Sequence, residues 1–110
     1  MADPMESMRH VSPEDRRLYE RQYVQGADQF KRALDEYSRA DEVHKKDAFR
    51  QVMEKALEIM NETARGLKRS DLLTQTQKLG QELETYKNSQ AEADKTLLAK
   101  DIERAQKSIG

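Results

Sequence analysis

Three stripes of apolar residues at helical spacing follow one another along the chain and constrain its fold more than any other feature. The middle stripe carries two adjacent lines. One is Phe49, Val52, Ala56, Ile59 and Thr63; the other is Met53, Leu57, Met60, Ala64 and Leu67. Steps of three and four residues place each line along one face of an α-helix. Two adjacent lines on one helix call for two neighbours.

The first stripe reads Tyr19, Tyr23, Gly26, Phe30, Ala33, Tyr37, Ala40. Rings at Tyr23, Phe30 and Tyr37 alternate with small residues at Gly26, Ala33 and Ala40, and Ala27 and Leu34 widen the face. Such alternation lets a partner helix come close and be filled by rings. Glycine costs a helix about 1 kcal/mol relative to alanine, so a close approach is expected at Gly26. Ser12-Pro13-Glu14-Asp15 starts this helix, with a hydroxyl at the N-cap, proline at the first position and acids facing the dipole.

The third stripe is one narrow line: Leu72, Thr76, Leu79, Leu83, Tyr86, Gln90, Ala93, Leu97. Its spacing is that of a coiled-coil seam. After Leu97 the line slips by one, to Leu98, Ile102, Ala105 and Ile109. Ser89-Gln90-Ala91-Glu92 has the pattern of a capping box, so a fourth helix can start there; otherwise the slip is a stutter in one long helix.

The boundaries between stripes are weaker. Residues 38–43 are polar without Gly or Pro, and a turn is expected there, capped by Asp41 or Ser38. Gly66 is expected to take the left-handed C′ position with Leu67 packing back, and Ser70 or Asp71 to cap the next helix. The reading is an all-α antiparallel three-helix bundle over 12–110, with helices at about 13–38, 43–67 and 71–109, the third long or broken near residue 88 into a fourth. Residues 1–11, with Met1, Met5 and Met8, read as a flexible arm.

Composition excludes several function classes. The net charge is −1, and acids and bases balance locally along every predicted helix. No basic patch is expected, which argues against nucleic acid and anionic lipid as partners. Cysteine is absent, so disulfides and thiolate chemistry are excluded. No apolar run approaches a membrane span, and no signal peptide is visible, so a cytoplasmic location is expected.

Chemical sites are sparse. His44 follows Asp41 at i+3, a metal-pair spacing, but the only other histidine is His10, outside the bundle. Di-iron bundles need two such pairs and further carboxylates. Glu54, Glu58 and Glu62 form a column that would hold Mg²⁺ if a second helix supplied acids. Glu82 and Glu84 are two apart and cannot both face it, while Arg50 and Arg65 flank it. Tyr23, Tyr37, Met53 and Met60 read first as core. No serine lies in a nucleophile elbow and no glycine in a phosphate loop.

The expectation is therefore a non-enzymatic protein–protein interaction module: an adaptor, assembly factor or helical chaperone that docks by helix on helix and self-associates, with no cofactor. A structural subunit of a larger helical assembly or secretion apparatus is the alternative. A Mg²⁺-dependent all-helical hydrolase built on the glutamate column is the rival from another class. The expected partner-binding residues are Leu97, Leu98, Ile102 and Ile109, then Met53 and Met60. An unbroken third helix would overhang its neighbours by about three to four turns and leave that C-terminal stripe bare.

Overall fold

A computed structural model of the protein describes residues 11–109. The arm expected at the N-terminus, with its methionines and His10, lies outside the described residues apart from Val11. Among the described residues there are four helices, α1 (Pro13–Arg39), α2 (Val43–Gly66), α3 (Ser70–Ser89) and α4 (Glu92–Lys107), and no strand. They pack in a ring: α1 on α2, α2 on α3, α3 on α4, and α4 back on α1. The links are two or three residues long, so successive helices run antiparallel. The chain thus takes the broken form of the third stripe, and the result is a four-helix bundle.

Helix α1 begins as its sequence dictates. The Ser12 hydroxyl accepts the Asp15 N–H at 3.2 Å, Pro13 opens the helix, and Glu14 and Asp15 lie in the first turn. Tyr23, Gly26, Ala27, Phe30, Ala33, Leu34 and Tyr37 are buried along it. The small residues bring α2 close. A Cβ built on Gly26 would lie 3.0 Å from Met60 Cγ and 3.5 Å from the Ala56 carbonyl oxygen. Each large apolar side chain sealed in this way contributes about 2 kcal/mol relative to exposure.

The turn after α1 falls where polarity predicted it, but neither expected cap is used. Ala40 is extended and Glu42 occupies the N-cap of α2 without a side-chain bond. The Ser38 hydroxyl donates instead to the Asp35 carbonyl at 2.7 Å. Lys46 instead ties α2 to the end of α1 by reaching back across the turn. Its Nζ donates to the Tyr37 carbonyl at 2.9 Å and stands 4.3 Å from the centre of the Tyr37 ring.

The link from α2 to α3 corrects a second expectation. Gly66 is helical; the left-handed residue is Lys68, with φ of 59°. Arg69 N–H reaches the Ala64 carbonyl at 3.2 Å and Lys68 N–H the Arg65 carbonyl at 3.0 Å. These are the two bonds of a Schellman motif, shifted two residues beyond the glycine. Gly66 serves packing instead: a Cβ there would lie 2.9 Å from the Tyr19 ring. Leu67 packs into the core, as expected. Arg69 occupies the N-cap of α3 and no side-chain cap forms, so Ser70 and Asp71 open the helix rather than cap it.

The third stripe is buried from Leu72 through Thr76, Leu79 and Leu83 to Tyr86, then stops. Gln90 turns left-handed, with φ of 55°, and ends α3. The expected capping box does not close: Ala91 is the N-cap of α4 and no side chain caps that helix. The Ser89 hydroxyl accepts the Ala91 N–H at 3.1 Å and donates to the Asp94 carboxylate. The break resets the helical phase, and this accounts for the one-residue slip. In α4 the inward line is Leu98, Asp101, Ile102 and Ala105, whereas Ala93 and Leu97 point outward.

Candidate functional site

The C-terminal stripe is not a free surface. Leu98 and Ile102 are fully buried, as are Met53 and Met60, so these four expected partner-binding residues are core. Isolated apolar stripes find a partner; here the partner is intramolecular, because α4 folds back against α3 and α1. Ile109 is partly buried against the same core. Only Leu97 remains open, at 49% exposure, and it lies outside the buried line. The ground for self-association through this stripe is removed with it.

What the surface does offer is a groove between α2 and α3, with a volume of about 480 Å³. The α2 wall is the glutamate column: Glu54, Glu58 and Glu62, each about one helix turn from the next. Across it α3 contributes Glu84 and Gly80. Nothing lies within 4 Å of a Cβ built on Gly80, so the missing side chain leaves the opposite wall open. Leu57 and Leu83, both buried, form the floor. Asn61 also lines the groove, and its side-chain oxygen is shut from solvent without a hydrogen-bond donor.

The upper end of the groove is closed by an ion-pair relay. Lys87 Nζ bridges Glu84 of its own helix, at 2.6 Å, and Glu54 of α2, at 3.1 Å. Arg50 grips Glu54 from one turn earlier at 2.9 Å. Burial alone would raise the Glu54 carboxyl, but the bonds from Lys87 and Arg50 outweigh it and hold the group below its ordinary range. The bond to Glu84, followed by that to Glu54, holds the Lys87 ammonium charged above its ordinary range. Among the described residues, the ion pairs on the α2 wall all fall on Glu54; Glu58 and Glu62 face the groove without an ion pair of their own, and Arg65 lines it beside them.

The acids do not converge. Glu84 faces the column and Glu82 faces the other way, toward α4, as their spacing required. Among the described residues no three Asp, Glu or His side chains are placed to share one metal ion. His44 is exposed and pairs with Glu42 at 3.0 Å, not with Asp41. Tyr23 and Tyr37 are core residues whose hydroxyls are taken up by Thr76 at 3.0 Å inside the bundle and by the exposed Gln90 at 2.7 Å at its rim.

Sequence reasoning named the glutamate column but missed the groove that it borders. The signal was present in Gly80, a glycine within a helical seam with no packing duty. No described helix is long and apolar enough to cross a membrane. Comparison of the chain with protein-family models, with curated proteins and with solved structures finds no match.

Proposed function

We propose that the protein is a non-enzymatic interaction module whose α2–α3 groove takes a basic segment of a protein partner. One observation carries this reading. The groove sets the carboxylates of Glu58 and Glu62, which make no ion pair of their own, over an apolar floor. A lysine or arginine side chain supplies charge for the carboxylates and a methylene stem to lie along the floor. A helix presenting such residues at i and i+4 matches the spacing of the column. Complementary charge of this kind sets orientation and encounter rate more than affinity.

The reading is tested by titrating isotope-labelled protein with a lysine-rich helical peptide and following backbone amide shifts. Saturable shifts centred on Asn61 and Gly80 are expected, and E58Q/E62Q is expected to weaken binding at least tenfold. Partners captured from the native cell should be lost with E58K/E62K and recovered when the charge of the partner segment is reversed. Shifts scattered over all four helices, or a double variant that binds as the wild type does, would rule the groove out.

A further inference from the structure

On the seam between α3 and α4, well away from the groove, Glu82 meets Asp101. Asp101 occupies a place in the inward line of α4, between Leu98 and Ile102, and is buried with them. Both carboxyl oxygens of Glu82 and Oδ2 of Asp101 are shut from solvent, and no N–H or O–H of the rest of the protein bonds to them. The two carboxyl groups meet on one seam: Lys78, one turn before Glu82 on α3, reaches Asp101 Oδ2 at 3.8 Å, and Asp101 is the side-chain neighbour that raises Glu82. Ionised carboxylates only accept, so two buried carboxyl groups left without a donor can bond to each other only when one of them carries a proton.

The surrounding charges do not replace that proton. Lys78 Nζ lies 3.8 Å from Asp101 Oδ2 and Arg104 Nη1 lies 3.5 Å from Oδ1, but both basic side chains are mostly exposed and their fields are screened. From α1, Asp28 and Lys31 meet α4 at Gln106, and Asp35 meets it at Lys95, on the other flank. From α2, Glu54 meets α3 at Lys87, and α2 does not pack on α4. None of these α1 and α2 groups acts on Glu82, whereas Lys78 and Arg104 lower it in part. Burial, then the hydrogen bond and charge of Asp101, push Glu82 up to about 7 from an ordinary value of 4.5.

We propose that Glu82 and Asp101 form a proton-operated clasp: a shared proton holds α4 on α3, and its loss sets two buried carboxylates against each other and loosens α4. The bundle would then carry its apolar stripe in a form that opens on demand, because release of α4 uncovers Leu98, Ile102 and Ala105. The sign follows from linkage. The closed state binds the proton more tightly than the open state does, so closure is fully favoured below about 4.5 and the advantage is lost as pH rises through about 7.

Native-state amide hydrogen exchange, corrected for intrinsic rates, tests the clasp. The opening equilibrium of α4 amides should rise about tenfold between pH 6 and pH 8, while amides of α1 and α2 change far less. E82Q keeps a donor toward Asp101 but cannot titrate, and should leave α4 closed and flat across that range. D101N removes the other carboxylate and should shrink the rise without abolishing it, because the burial of Glu82 remains. A tenfold rise that survives in E82Q and D101N, an equal rise in α1 and α2, or no rise in the wild type would each overturn the proposal.

Discussion

Tyr23 on α1 and Thr76 on α3 join hydroxyls 3.0 Å apart across the centre of the bundle, linking two helices that do not pack side by side. Thr76 donates its own proton to the Leu72 carbonyl at 2.7 Å, so Tyr23 is the donor of the pair. Burial, partly offset by the bond to Thr76, raises the phenol further above its ordinary range and keeps it a donor. Near the other end of the core, the Tyr37 and Tyr86 rings meet edge to face at 5.6 Å, again between α1 and α3. These diagonal contacts fix which helices lie opposite each other.

The two hydroxyls should be coupled. Tyr23→Phe removes the donor and leaves Thr76 its bond to Leu72, a cost of about 1 kcal/mol. Thr76→Val leaves a buried phenol with no acceptor and should cost about 2 kcal/mol. The double variant should lose about 1 kcal/mol less than the sum of the two. Urea unfolding followed by circular dichroism measures all three, and strict additivity would show that the hydroxyls do not interact.

The glycines of α2 and α3 should respond in opposite directions. Gly80→Ala adds a methyl group where nothing stands within 4 Å, and should stabilise the bundle by about 0.5–1 kcal/mol through helix propensity. Gly66→Ala places a Cβ 2.9 Å from the Tyr19 ring, and should destabilise it by about 1 kcal/mol or more through displaced packing. Thermal unfolding midpoints of the two variants, taken at one pH, order them on either side of the wild type.

The two left-handed residues offer a paired test. Lys68→Gly relieves the left-handed strain at an exposed side chain and should stabilise by about 1 kcal/mol. Gln90→Gly relieves the same strain but removes the amide that donates to the Tyr37 hydroxyl at 2.7 Å and to the Lys87 carbonyl at 2.9 Å. Its gain should be cancelled or reversed. Equal stabilisation by both variants in chemical denaturation would mean that the Gln90 bonds contribute nothing.

Stability should peak on the acid side of neutrality. Glu54, lowered by the bonds from Lys87 and Arg50, and Asp71, lowered chiefly by its bond from Arg69, add stability that is present above their ordinary values and lost as pH falls through their depressed ones. Glu82 acts in the opposite sense: its contribution is complete below about 4.5 and gone above about 7. The maximum is therefore expected at about pH 5–6. Urea midpoints between pH 3 and pH 9 locate it, and E82Q should move it toward neutral pH by removing the basic-side decline. An unchanged maximum in E82Q would contradict this account.

Much of the fold was written in the spacing of apolar residues. The lines Tyr23–Phe30–Tyr37, Met53–Met60 and Leu72–Leu79–Leu83–Tyr86 are buried as their helical periods required, because a face of such residues has nowhere else to go. The start of α1 was equally local: a hydroxyl, a proline and two acids suffice for a helix to begin. The glutamate column of the groove was legible for the same reason, since i,i+4 spacing fixes a shared face whatever lies opposite.

Tertiary packing decided the rest. Whether residues 71–109 form one helix or two depended on the core that α4 could find, and Gln90 accepts a left-handed backbone because folding back buries Leu98 and Ile102. Packing likewise assigned Gly66 to Tyr19 and the left-handed turn to Lys68, against local preference. The Glu82–Asp101 contact and the groove at Gly80 arise between helices, where distance across space replaces distance along the chain. Local sequence sets which face of a helix is apolar; only the meeting of those faces determines which polar groups are trapped between them and which surface remains to meet a partner.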